Sequence, residues 1–421
     1  MTLSISPGRD HFLRDGKPFF YLADTVWAAF TNASLEEWRG YVRRRREQGF
    51  TALQISLLPI VHDRSDSPGE VMPFERGDGG FDFARPQDAY LSRAAEMLEV
   101  VRREGLVPAL VLLWCNYVPG TWAARRTGQS MTLDQVDAYL RRALPVLGHP
   151  APILIVSGDT DWAGETVRYY GHVLRLARSL LPESLTTLHT APDHADLPNA
   201  LAEMPALDFY MYQSGHQRER QDRAPQLARL LAAKTPRRPV VNGEPCYEGH
   251  GHFRARGRFS AAEVRWATWE SLFSGAGAGV TYGAHGLWSW HRPGDHFTST
   301  ASSSEPYPWS SALDLPGAGD VAFARTVFEL YGLHRTAPSC DLLVEAPEDV
   351  VAVASADRSV VAVYQPVPSQ LRLNLDLRGR RNAWVDLGAR RWLVPEISVV
   401  DGVSTVSMPD TTSDLLLLSS G

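Results

Sequence analysis

The chain is poor in cysteine. Its 421 residues include three, Cys115, Cys246 and Cys340, far apart and without a CxxC pair. An odd, scattered set argues against a disulfide framework. Lysine is nearly absent: of 42 basic residues only Lys17 and Lys234 are not arginine, a bias we read as coding composition rather than function. There is no excess of positive charge either, since the net charge is −6. That argues against a protein built to grip nucleic acid by its phosphates. No run of 18 apolar residues exists, so no transmembrane helix is expected. The first residues, MTLSISPGRDHFLRDGK, hold no apolar run of signal-peptide length, and a cytoplasmic location is expected unless a leader was removed. With 44% hydrophobic and 21% charged residues, the bulk of the chain is not disordered. Its length fits one large domain plus a smaller one.

Tryptophan, by contrast, is plentiful. There are 12 Trp and 14 Tyr, and Trp114, Trp122, Trp162, Trp288, Trp290 and Trp309 stand in polar or glycine-rich stretches. A flat apolar face with one donor suits the C–H faces of sugars, although ordinary packing also uses it.

Short apolar runs alternate with amphipathic stretches. Strands are expected at 19–22, 52–57, 107–113, 153–156, 185–188, 209–212, 240–242 and 279–282. Helices are expected at 35–48, 90–104, 133–147, 165–181, 197–203, 226–233, 261–274 and 321–331. Ser34 and Glu37 form a capping box for the first of these. A long loop, 59–87, separates the second strand from its helix, and a Trp/Ser/Pro-rich loop precedes the last helix. Eight such units predict a (β/α)8 TIM barrel, with a doubly wound open sheet as the alternative. No GxGxxG follows the first strand, which disfavours a dinucleotide site. From 342 the pattern turns to period two, as in SVVAVYQP and LRLNLDL. Six or seven short strands there predict a C-terminal antiparallel β-sandwich domain. The expected division is 1–338 for the barrel and 339–421 for the sandwich.

In a barrel the loops after the strands build the site. Past the eight strands come Asp24 and Trp27; Gln54 and Ser56; Trp114 and Asn116; Asp159 and Asp161; His189; Gln213 and His216; Glu244, Tyr247 and Glu248; and Tyr282, His285, Trp288 and Trp290. Singly, each has an ordinary explanation. Asp24 can cap a helix, Asp159 and Asp161 can form a turn, Glu248 can be a surface charge, and His189 can be a core histidine. Together they mark one end of the barrel. Asp159 after strand four and Glu244 after strand seven face each other across its mouth. Two carboxyl groups flanking one bond are what glycoside hydrolysis requires. Apolar neighbours such as Trp162 would favour a protonated Asp159, and donors around Glu244 would keep it charged.

These motifs resemble the apiosidase-like glycoside hydrolases, glycoside hydrolase family 140, over roughly residues 5–335. The likeness rests on GKPFFYLADTVW, SGD at Asp159, LHT at His189, QSGH at His216 and GEPCYEG at Glu244. It implies a retaining glycosidase with Asp159 as acid/base and Glu244 as nucleophile, followed by a β-sandwich; neither a cofactor nor a metal is expected. The chain departs from the family pattern at Ser157-Gly158-Asp159 and Trp114-Cys115, and the expected sugar is apiose or another pentose or furanoside. Asp24, Gln213, His189 and His216 are expected to hold sugar hydroxyls, and Trp27, Trp114, Trp288 and Trp290 to wall the pocket. Gln54, Asn116, Asp161, Tyr247 and Glu248 complete the expected carbohydrate site. The expected partner is a glycoside, with neither nucleic acid nor membrane. Two other classes stay open: a metal-dependent hydrolase on the same barrel and a non-catalytic glycan-binding protein. The first lacks an HxH pair after strand one and an HExxH helix.

Overall fold

A computed structural model describes residues 2–62, 71–77, 79–149, 151–194, 196–253, 255–297 and 303–421. Eight parallel strands form the central sheet: β1 (Tyr21–Thr25), β2 (Ala52–Ser56), β3 (Val107–Val111), β4 (Ile153–Ile155), β5 (Thr186–Thr187), β6 (Tyr210–Gln213), β7 (Val240–Glu244) and β8 (Gly279–Tyr282). They run in the order β5-β4-β3-β2-β1-β8-β7-β6, so the first and last strands in sequence lie side by side. The seam between β5 and β6 is bridged instead by single bonds. Asp208 N–H donates to the Thr186 carbonyl (3.0 Å), and the Thr187 hydroxyl donates to the Phe209 carbonyl (2.8 Å). The result is a nearly closed barrel. Its strands are buried along their whole length, which is why they read as continuous apolar runs rather than alternating ones.

Each strand is followed by a helix of the outer ring: α1 (Leu35–Glu47), α2 (Asp88–Arg103), α3 (Leu133–Leu147), α4 (Thr166–Leu180), α5 (Asn199–Ala202), α6 (Arg223–Ala232), α7 (Ala261–Phe273) and α8 (Gly317–Tyr331). The expected box at α1 is present: the Ser34 side chain accepts from Glu37 N–H, and Glu37 accepts from Ser34 N–H. Thr132 with Gln135 and Ser260 with Glu263 cap α3 and α7 in the same way.

Two expectations need correction. The apolar run at 19–22 is not one strand. Lys17–Phe19 closes a three-stranded antiparallel sheet with Leu3–Ile5 and Phe12–Arg14, and β1 begins only at Tyr21. The hydrophobic run crosses the boundary between two sheets, so pattern alone cannot split it. The loop 59–87 also contains a hairpin, Phe74–Gly77 with Gly80–Pro86; residues 63–70 and Asp78 of it lie outside the described residues. Of the last barrel loop, residues 298–302 lie outside them too.

Beyond α8 the chain forms a six-stranded antiparallel sheet, Thr336–Pro338, Val351–Ser355, Val360–Gln365, Leu415–Ser420, Arg381–Asp386 and Arg391–Leu393 in spatial order. A three-stranded sheet, Leu371–Leu373, Val403–Val406 and Ile397–Val400, faces it over a core that includes Trp384, Leu377 and Leu415. The other face of the large sheet packs on the barrel. Trp269 of α7 stacks on Tyr364 at 6.2 Å between ring centres. Arg265 of α7 donates to Asp414 (2.7 Å) and to Asp320 of α8 (2.7 Å), and Arg390 reaches the same Asp320 (2.8 Å). Val353, Ala362 and Leu416 thereby join the barrel's own hydrophobic core. Among the described residues no helix is long and apolar enough to cross a membrane.

Candidate active site

The strands point their C-terminal ends at one cavity of about 520 Å³. Trp27, Trp114, Asp159, Asp161, Gln213, His216, Glu244, Tyr247 and Trp288 line it, each from the loop or strand end where the sequence placed it.

Glu244 ends β7 and is buried at its base. His216 Nε2 donates to its Oε1 at 3.0 Å, and His189 Nε2 stands 3.2 Å from its Oε2. The tautomers of both rings follow from their other nitrogens. His216 Nδ1 accepts from Tyr247 N–H (3.3 Å), and His189 Nδ1 accepts from Asp159 N–H (3.1 Å). An acceptor Nδ1 leaves the proton of a neutral imidazole on Nε2. Both Nε2–H groups therefore face the carboxylate. Burial opposes ionisation of Glu244, but the bonds and charges from His189 and His216 outweigh it and lower its pKa to about 2. Burial and the Glu244 charge together keep the neighbouring Tyr247 phenol protonated, and Trp27 Nε1–H donates to its oxygen at 3.1 Å.

Asp159 follows β4. Its backbone takes a left-handed conformation, φ +48°, uncommon for a residue with a side chain. That turn aims its N–H at His189. Its Oδ2 lies 3.2 Å from His62 Nε2. The preceding Gly158 is fixed by packing, since a Cβ there would come within 2.2 Å of the Trp114 ring. Trp114 and Trp27 meet edge to face at 5.3 Å, and Trp27 lies 5.6 Å from His189. An ionised carboxylate, a second carboxyl group and an aromatic wall thus share one cavity. Among the described residues no group of three or more His, Cys, Asp or Glu is placed to hold a metal ion.

The model of the apiosidase-like catalytic domain matches residues 7–334. The chain belongs to the apiosidase-like family. It is a glycoside hydrolase on a TIM barrel. A solved glycoside hydrolase shares the whole fold, with a TM-score of 0.83 at 18% identity, covering 100% of this chain and 96% of that one. A glycoside hydrolase family 5 structure from Bacteroides vulgatus ATCC 8482 gives 0.81 at 19% identity, covering 100% and 93%. A family 5 mannosidase from Rhizomucor miehei gives 0.51 at 10% identity, covering 76% and 96%. A search of the curated proteins finds no match to the chain.

Several residues expected in the site of this apiosidase-like enzyme lie elsewhere. Asp24 is fully buried beneath the cavity, where its Oδ2 accepts from Arg45 Nε and from the Tyr41 hydroxyl, each at 2.6 Å. Gln54 is a bracket between strands: its amide donates to the Gly243 carbonyl (2.9 Å) and its oxygen accepts from the Tyr21 hydroxyl (3.1 Å). Glu248 accepts from the Tyr282 hydroxyl (2.6 Å) and Gly317 N–H (2.8 Å), tying the β7 loop to α8. Trp290 is buried against Trp309 at 4.6 Å. Asn116 sits buried in a short 3-10 turn, Cys115–Tyr117, off the cavity wall. Asp24, Gln54, Glu248 and Trp290 are thus engaged with protein partners, and Asn116 lies off the cavity. His216 is engaged at both ring nitrogens, by Glu244 and Tyr247 N–H, while His189 accepts at Nδ1 and has its Nε2 3.2 Å from Glu244. Trp162 is off the wall as well, its Nε1–H donating to the His194 carbonyl (2.7 Å). In its place His62 adjoins Asp159.

The cavity also takes His62, Arg126, His250, Phe253 and Phe297, which the strand-end rule does not reach. His62 lies six residues past the end of β2, and Phe297 fifteen past the end of β8. His250 stands six residues after Glu244, one glycine past Glu248, and its ring stacks on His216 at 4.4 Å. Proximity to the GEPCYEG motif was the one available signal.

Proposed function

We propose that the chain is a retaining glycosidase that removes a terminal apiose, or another pentose or furanoside, by double displacement. The observation that carries this reading is the state of Glu244. A carboxylate buried at a cavity base and held ionised by two imidazole donors is poised to attack an anomeric carbon. Asp159, on the same wall, acts as the acid/base. In the first step Glu244 bonds to the anomeric carbon as Asp159 protonates the departing glycosidic oxygen. In the second, Asp159 takes a proton from water, whose oxygen displaces Glu244 and frees the sugar. Trp27, Trp114 and Trp288 stack on the sugar. Gln213, whose buried Oε1 has no partner among the described residues, accepts from a hydroxyl. His189 and His216 keep Glu244 charged and oriented.

The test is a screen of aryl apiosides, arabinosides, xylosides and galactofuranosides, with the anomer of the first-formed sugar read by proton NMR. Retention is expected. Release of the inverted anomer removes the covalent step, and full activity in Glu244→Ala or Asp159→Ala removes the residue roles.

A further inference from the structure

We infer that His62 is the positioning residue of the acid/base step: it anchors Oδ2 of Asp159 so that Oδ1 carries the proton to and from the glycosidic oxygen. The inference rests on the reading of Asp159 as acid/base.

His62 comes from the stretch Pro59-Ile60-Val61-His62 after β2, two strands away from Asp159 in the barrel. Its Nε2 lies 3.2 Å from Oδ2. An ionised carboxylate only accepts, so in that state the imidazole N–H donates. The His62 ring lines the cavity and leans on Trp122, 5.6 Å between centres, which limits its rotation. The Asp159 side chain is 14% exposed against 32% for His62, so the histidine stands at the mouth and the carboxyl below it.

The backbone of Asp159 is held by a different histidine. Its N–H donates to His189 Nδ1 from the left-handed turn. One imidazole pins the main chain and a second pins the carboxyl. Without the second contact two side-chain torsions are left to place the reacting oxygen. A displacement of about 1 Å at a reacting group costs up to ~100-fold in rate.

The proton inventory is simple. In the first step the proton on Asp159 Oδ1 moves to the glycosidic oxygen as the carbon–oxygen bond breaks toward that oxygen and the Glu244 ester forms. His62 keeps its own proton and donates to Oδ2, which stabilises the carboxylate left behind. In the second step water gives a proton to Oδ1, its oxygen bonds to the anomeric carbon, and the ester to Glu244 breaks. Asp161 shares the β4 loop with Asp159; the charged or titratable groups of other elements on the cavity wall are Arg126, Asp193, His194, His216, Glu244, Tyr247 and His250, with His189 at the Asp159 backbone.

A positioned acid matters most when the leaving group is poor. The probes are phenyl and 2,4-dinitrophenyl β-D-apiofuranosides, with the α-L-arabinofuranosides alongside. His62→Ala should lower kcat/KM about 30- to 100-fold on the phenyl glycoside and less than about 3-fold on the dinitrophenyl one. His62→Gln, whose amide N–H also reaches Oδ2, should recover the phenyl activity to within about 5-fold. The melting temperature should stay that of the parent. Equal losses on both substrates, or no loss on the phenyl glycoside, overturns the inference. Asp159→Ala separates the two ideas. If it shows no preference for the activated substrate, the acid/base reading itself fails. If it shows that preference and His62→Ala does not, only the role of His62 fails.

Discussion

Glu244 shows how a few contacts decide the chemistry of one group. Burial alone would neutralise it; His189 and His216 reverse that and lower its pKa to about 2, from a reference of 4.5. A carboxyl whose pKa falls on folding contributes stability that is fully present above its unfolded value and is lost as pH falls toward its folded value. For Glu244 that window runs from 4.5 down to about 2. Glu244→Gln removes the titration while keeping the shape. At pH 7 the variant should be inactive and should melt below the parent. The gap should narrow as pH falls below 4.5, measured by thermal unfolding at a series of pH values. A gap that is constant across this range would mean that the two imidazoles do not hold the charge. Asp24 makes the converse point. It is as acidic in sequence and as close to a strand end, yet burial raises its pKa, opposed by Arg45, and it serves the fold.

At the scale of elements, α1 does more than cover the barrel. Glu37 closes its capping box and also accepts from Trp290 Nε1 (3.2 Å) and Arg292 (2.6 Å) of the β8 loop. That loop carries Trp288 to the cavity wall, and Ala28 N–H binds the Trp288 carbonyl at 3.0 Å. One helix start therefore anchors an active-site loop. Ser34→Ala removes only the cap and should cost about 1 kcal/mol with activity unchanged. Glu37→Ala also strips a charge-assisted bond from Arg292 and should cost about 2–3 kcal/mol. Its kcat/KM should fall as well, because Trp288 loses its support. Urea midpoints and steady-state rates on the same two variants check this. Indistinguishable rates would show that the loop is held without Glu37.

Across the whole molecule, Arg265 joins the two parts. It binds Asp414 of the C-terminal sheet and Asp320 of α8 at once, and all three side chains are buried. Arg265→Met leaves the Asp414 carboxylate without its main partner in a dry interface. The expected loss is about 3–5 kcal/mol, read from the urea midpoint. The C-terminal sheets should then melt ahead of the barrel in calorimetry. A change below about 1 kcal/mol with a single transition would show that apolar contacts such as Trp269 on Tyr364 suffice. The alternation of strands and helices, the capping boxes and the period-two tail are legible in the residues alone. These depend on neighbours along the chain and on whether a strand is buried on one face or two. The sequence also placed Asp159 and Glu244, because barrel topology puts every strand end on one rim. It did not separate Asp24, Gln54, Glu248 and Trp290 from the true cavity wall. A strand-end polar residue points inward to the cavity or downward to Arg45 or Gly243 according to partners 21 to 189 positions away. Nor did it reveal His62 beside Asp159, 97 residues apart, since that contact arises only when the barrel brings the β2 loop over the end of β4.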